Sequence, residues 1–287
     1  MTRTITAGLD GSPESRAAVE WAAREALLRR LPLKIVNVRG PGPAEGTGGI
    51  PREAAEGIRL RHPGAEVVTD QLTGNPAEAL TEAADTAELM VLGSHGLGTV
   101  GGFLLGSVSL AVIARAERPV VLVRAGEQAA DEHRPDPAGV PSAGGPFRPV
   151  VLGLDTGAPD DTLLEFAFDA AACRDTALRV VHGYYEPHGS VHPLQGDAGT
   201  HASHARGQAT VLTELLRPWR QKFPDVQVIE ASRCGSAARV LVGAARDAAL
   251  VVVGRRVRTG PLGARIGHVT HAVLHHVEAP VAVVPHT

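Results

Sequence analysis

The chain has 287 residues, of which 44% are hydrophobic and 21% charged; this profile excludes a disordered chain and leaves room for two ordinary domains. A net charge of −3, with acids and bases mixed along the chain, gives no electrostatic reason to bind nucleic acid, and two cysteines, Cys173 and Cys234, exclude a disulfide framework. No roughly 18-residue apolar run occurs and Met1-Thr2-Arg3-Thr4 carries no signal-peptide anatomy, so a cytoplasmic protein without a membrane partner is expected.

Aromatic residues make up only 3%, so the core must be aliphatic, which suits parallel sheets buried on both faces. The first strand-like run is Ile5-Thr6-Ala7-Gly8-Leu9, ending at Asp10. Ser12 then caps a helix with Pro13 at its first position, and Ala17, Ala18, Trp21, Ala22, Leu28 and Leu31 recur at helical spacing. Leu33 to Val38 reads as a second strand, Gly40 to Pro51 as a Gly/Pro loop, and Glu66 to Leu72 as a third, weaker strand. A helix is expected over Pro76 to Thr86, and fourth and fifth strands over 89–93 and 119–124.

These strands recur later in the same order. Val150-Val151-Leu152-Gly153-Leu154-Asp155 repeats the Gly-Leu-Asp ending of the first run. Leu250-Val251-Val252-Val253-Gly254 answers to Leu89-Met90-Val91-Leu92-Gly93, and Ala279-Pro280-Val281-Ala282-Val283-Val284 to Arg118-Pro119-Val120-Val121-Leu122-Val123. The chain is read as a duplication, with domains at 1–125 and 149–287. The stretch 126–148, holding Pro135, Pro137, Pro141 and Pro146, is expected to be an exposed linker. The second copy adds strands at 178–183 and 226–231, a helix near 236–247, and His201 and His204 in a loop before a helix of 205–217. Strands alternating with helices make each copy an α/β unit with a parallel sheet, whose ligands belong at the carboxyl ends of strands.

Between the fourth strand and the next helix runs Gly93-Ser94-His95-Gly96-Leu97-Gly98-Thr99-Val100-Gly101-Gly102-Phe103-Leu104-Leu105-Gly106-Ser107. Glycines let backbone amides converge on an anion, and Gly106-Ser107 opens a helix whose first amides lack partners. The hydroxyl of Ser107 adds a donor, and Ser109 offers another. Two blander readings stand beside this one: Asp10 as the cap of a turn before Ser12, and the glycines as packing residues.

The spacing Gly93-x2-Gly96-x9-Gly106-Ser107, following a buried strand and paired with Gly-Leu-Asp at the end of strand one, resembles the nucleotide loop of ATP-binding members of the universal stress protein family. The resemblance spans both halves and omits only the linker. It implies an α/β fold of two tandem doubly wound parallel five-stranded sheets, each of order 3-2-1-4-5. It also implies pairing through the fifth strands, 119–124 with 280–284 within one chain, and leaves a homodimer open. Carried over by position, it puts Asp10 beside the nucleoside and the main chain of Val38 at the adenine edge. Gly93, His95, Gly96, Gly106, Ser107 and Val108 would surround ribose and phosphates. The implied ligand is ATP, with or without Mg.

In the second copy Gly254-Arg255-Arg256-Val257 replaces Gly93-Ser94-His95-Gly96, and Gly267-His268 replaces Gly106-Ser107. Valine resists positive φ and crowds a phosphate, so this half is expected to bind ATP weakly or not at all. Arg255, Arg256, Arg258 and Arg265 could bind an anion from outside, pair with acids of the other half, or form a solvated basic loop. Gly96-x-Gly98-x-x-Gly101 matches the dinucleotide fingerprint but follows the wrong strand. His268, His271 and His275 share one helix face, yet one helix rarely supplies three zinc ligands, so no metal site is expected. Three readings follow: a nucleotide-responsive stress protein, an interaction module that no longer uses nucleotide, and a slow ATPase, for which no catalytic residue is marked.

Overall fold

The computed structural model describes residues 3–40, 50–94, 97–98, 102–103, 106–185, 198–257 and 266–287. Short Val/Leu/Ile runs bounded by Gly and Pro form the strands, and segments with apolar residues at helical spacing form the helices between them, with side-chain caps on α1, α3 and α5. The first half is built from β1 (Ile5–Gly8), α1 (Pro13–Arg29), β2 (Leu33–Arg39), α2 (Ile50–Arg61), β3 (Val67–Thr73), α3 (Pro76–Asp85), β4 (Leu89–Ser94), a two-stranded ladder of β5 (Leu97–Gly98) and β6 (Gly102–Phe103), α4 (Ser107–Arg115) and β7 (Val120–Arg124). The second half repeats the plan with β8 (Val150–Gly153), α5 (Asp161–Cys173), β9 (Leu178–Tyr184), α6 (Ala198–Lys222), β10 (Val228–Cys234), α7 (Ala237–Ala244), β11 (Leu250–Arg256), α8 (His268–His276) and β12 (Val281–His286).

The strands form one sheet of ten in the order β10-β9-β8-β11-β12-β7-β4-β1-β2-β3. Each half runs 3-2-1-4-5 with parallel neighbours, but the two five-stranded sheets expected from sequence are merged. At the junction β12 runs antiparallel to β7, with Val281 opposite Leu122 and Val283 opposite Val120. Two strands of Val, Ala and Leu that bury every side chain of the pairing leave no other edge to cover them. One face of the sheet packs against α1, α2, α5 and α6, where Trp21 and Phe168 are almost wholly buried. The other packs against α3, α4, α7 and α8 through Leu80, Ile113, Leu241 and Leu274. Among the described residues no helix is long and apolar enough to cross a membrane.

The start of α1 follows its sequence signals: Ser12 caps the helix through its side chain, which accepts from the Ser15 amide, and Pro13 stands first. Elsewhere the structure corrects the reading. The helix α2 was not anticipated, β10 starts two residues and ends three residues beyond the expected 226–231, and α6 already begins at Ala198, so His201 and His204 are helical. The first part of the linker is not an exposed connector. Ala129–Glu132 form a 3-10 turn, Glu132 and His133 are buried, and His133 pairs with Phe147.

What fixes that segment is charge rather than apolar burial. Arg24 on α1 holds Glu127 at 2.6 Å and Glu132 at 2.8 Å. Nearby, Glu25 on α1 receives Arg29 at 2.6 Å and, from the second half, Arg174 at 2.5 Å. The side chains of Glu25 and Arg174 are 1% and 0% exposed, so neither charge has water as a substitute partner. Guanidinium groups also cross the seam to helix ends: Arg124 donates to the carbonyls of Leu274 and Val277, and Arg255 to that of Ala116.

Removing one member of a dry ion cluster strands the others, which costs about 3 kcal/mol or more. Glu25→Gln is therefore expected to lower unfolding stability by about 3 kcal/mol, read from denaturant midpoints. A loss below about 1 kcal/mol would show that the cluster is solvated or dispensable.

Candidate functional site

Strand order reverses between β1 and β4, and the carboxyl ends of the two strands diverge there. A cavity of about 260 Å³ occupies the gap. Its walls are Leu9, Val36, Val38, Leu80 and Leu92, and its rim carries Asp10, Ser12, Gly93, Gly106 and Ser107. Of the residues singled out from sequence, Asp10, Val38, Gly93, Gly106, Ser107, Val108 and Ser109 meet around this one cavity. His95 and Gly96 lie outside the described residues.

Asp10 is exposed, and one carboxylate oxygen accepts the Ser12 amide at 2.9 Å and the Ser12 hydroxyl at 2.6 Å. Partial burial pushes its carboxyl up, but the hydrogen bonds from Ser12 and Ser15 outweigh that and leave it below the usual carboxylate range. Asp10 is thus an ionised residue that organises the turn into α1 while facing the cavity. Val38 presents its side chain beside Val36 near the end of β2. Its neighbour Asn37 is buried and donates to the Leu9 carbonyl at 2.6 Å, tying the ends of β1 and β2 together. Asn37 was missed in the sequence, although a polar residue inside the run Lys34-Ile35-Val36-Asn37-Val38 was the available signal. Ser12, Ser15 and Leu80 are further lining residues that were not singled out.

The two glycines at the rim serve different needs. A Cβ at Gly93 would lie 2.6 Å from the main-chain carbon of Glu14 and 2.7 Å from the amide of Ser15. Its lack of a side chain is therefore required by the close approach of α1 to β4. Gly106 is the N-cap of α4, with φ −64° and ψ 142°, and gives the helix no side-chain cap. The first amides of α4 consequently face the cavity rim without an intrahelical partner. Ser107, the first residue of the helix, is exposed. Ser109, expected as a second donor for a ligand, instead donates its hydroxyl to the Gly93 carbonyl at 3.0 Å and clamps α4 to β4.

The second half keeps the frame and changes the mouth. Thr270 donates to the Gly254 carbonyl at 2.8 Å, as Ser109 does to Gly93, and His182 contacts the Leu154 carbonyl where Asn37 contacts Leu9. The amide of Val257, which stands where the first half has Gly96, donates to the His286 carbonyl at 2.6 Å. An amide committed to the sheet cannot turn toward a phosphate. Of the four arginines, Arg255 is buried against Ala116, Arg256 is exposed, and Arg258 and Arg265 lie outside the described residues. Among the described residues no group of three or more His, Cys, Asp or Glu is placed to hold a metal ion.

An open α/β sheet with a strand-end cavity in each half, each opening onto a helix start without a side-chain cap, defines a class of doubly wound α/β proteins. The model of the universal stress protein family matches residues 1–124 and again 146–285. A universal stress protein of Mycobacterium tuberculosis is 32% identical over 299 residues, covering 97% of this chain and 96% of the relative. One from Mycolicibacterium smegmatis is 31% identical over 300 residues, covering 98% and 96%. The crystal structure of a universal stress protein from Archaeoglobus fulgidus has the same fold, with a TM-score of 0.67 at 16% identity over 99% of both chains. The chain belongs to the universal stress protein family.

Because the main chain of α1 leaves no room for a Cβ at Gly93, Gly93→Ala is expected to cost about 2 kcal/mol of stability. A variant as stable as the parent in denaturant titration would mean that α1 moves aside freely.

Proposed function

We propose that the first half binds an adenine nucleotide, ATP in preference, and that occupancy makes the protein a nucleotide-responsive stress regulator acting in the cytoplasm. The observation that carries this reading is the convergence of Asp10, Val38 and the uncapped start of α4 on one cavity at the sheet's reversal point. The aliphatic walls from Val36, Val38, Leu80 and Leu92 suit the two faces of a purine. Asp10, ionised at neutral pH, is an acceptor for ribose hydroxyls. About 260 Å³ is room for a base and a sugar, so the phosphates would project past Ser107 toward the helix amides, where the dipole favours negative charge.

The fit to a metal is weaker than the fit to the nucleotide. Asp10 is the carboxylate at the rim nearest the strand ends, and Ser12 already occupies one of its oxygens. Any Mg would therefore arrive bound to the phosphates rather than in a cage built by the protein. Binding is the activity proposed, with Asp10 holding the turn into α1 through Ser12 rather than acting as a base.

The division into units at 1–125 and 149–287, joined by 126–148, is part of the same proposal, as is the use of the β7–β12 junction to carry a change from one half to the other. A second reading, an interaction module independent of nucleotide, draws support from the Val257 amide being locked into the sheet in one half. Titration calorimetry separates the two. One ATP per chain is expected, and Gly96→Val, which writes the second half's residue into the first, should weaken it by about tenfold or more. Two equivalents per chain, or an affinity indifferent to Gly96→Val, would overturn the assignment.

A further inference from the structure

The half with the degenerate loop has the larger cavity, about 510 Å³ against about 260 Å³, a volume inside the roughly 300–1,000 Å³ of small-molecule pockets. The cause is visible in the chain. In the first half only Gly11 separates Asp10 from the helix cap Ser12. In the second, Thr156-Gly157-Ala158-Pro159 separate Asp155 from the cap Asp160. The start of α5 therefore stands back from β11. Where the main chain of Glu14 and Ser15 covers Gly93, Gly254 is met instead by the His286 imidazole and the Leu163 side chain. The space so opened reaches Ala158 and Leu163 and joins an aliphatic floor of Leu154, Val181, Leu241 and Val253.

The polar groups at its edge are unequally engaged. Asp155 accepts the Gly157 amide at 3.0 Å, and Thr270 donates to the Gly254 carbonyl at 2.8 Å. His182 is held by the Leu154 carbonyl, Thr156 and Gln208. Arg256 is exposed, lines the cavity and has no ion-pair partner among the described residues. The uncapped start of α8 lines this cavity as α4 lines the other, but the Val257 amide is closed to a polyphosphate, whereas one acidic group would find a free guanidinium beside a wide apolar chamber.

We propose that this cavity binds an amphipathic organic acid, its apolar body between Leu163 and Leu241 and its single carboxylate on Arg256. The site is separate from the nucleotide cavity and does not depend on that reading. The probes are 8-anilinonaphthalene-1-sulfonate, whose fluorescence reports the apolar chamber, and decanoate with decanol as its uncharged counterpart. On the full chain the dye is expected to saturate one site, to be displaced by decanoate, and to be unmoved by ATP. Ala158→Phe, which fills the opened space from a turn, should weaken dye and decanoate by about tenfold or more. Arg256→Gln, an exposed change that keeps the test valid should Ala158→Phe disturb the fold, should weaken decanoate by about tenfold and leave decanol unchanged. Unsaturable dye, a decanoate affinity no better than that of decanol, or displacement by ATP would each overturn the proposal. ATP titrated in the same samples reads the first half separately.

Discussion

The arrangement of both halves depends on a glycine at the end of the fourth strand of each repeat. At Gly93 the absent side chain lets the main chain of α1 rest on β4, while the Gly93 carbonyl takes the Ser109 hydroxyl from α4. Two helix starts are thus brought to one strand end, and the hollow they frame is where a ligand can meet helix amides. Gly254 and Thr270 repeat the clamp in the second half. There α5 begins farther from the strand, so the same clamp frames a wider hollow. One local constraint therefore accounts for both cavities, and one length difference after the first strand accounts for their divergence.

Between the halves the stabilising elements differ from those within them. Inside each half, aliphatic burial on both sheet faces dominates. At the seam, β7 and β12 are joined by main-chain hydrogen bonds, and guanidinium groups cross it in both directions. Arg174 reaches Glu25, Arg124 reaches the end of α8, and Arg255 reaches the end of α4. Burial and the neighbouring Glu132 charge push the Glu127 carboxyl up to about 7 despite its pairing with Arg24. The linker is thereby tied to the first half by groups whose charges matter to each other, which a count of apolar residues does not reveal.

The repeat was legible because strand ends carry strong signals: Gly-Leu-Asp twice, and a glycine closing each fourth strand. Those signals also put Asp10 and Gly93 at the carboxyl ends of strands, on one edge of the sheet. The helix α2 was not legible, because the Gly/Pro stretch reaching Pro51 reads as loop and hides a helix that starts at Ile50. The start of α6 was hidden in the same way by Gly199 and polar neighbours. Glu132 and His133 look like linker residues because ionic and hydrogen-bonded partners, not hydrophobicity, bury them. The bond from Ser109 to the Gly93 carbonyl was not legible, because a serine near a helix start fits either a ligand or a strand carbonyl. The Val257 amide depends on how far β11 continues beside β12, which no local pattern encodes.

The central claim, that helix amides at the start of α4 receive the phosphates of a nucleotide held by the first half, is tested most directly by amide hydrogen exchange with and without ATP. The account predicts slowed exchange at Ser107 and Val108 and in the Asp10–Ser12 turn, with His268 and Val269 unchanged. Unchanged exchange at Ser107 and Val108 under saturating ATP, or equal protection of both helix starts, would contradict it.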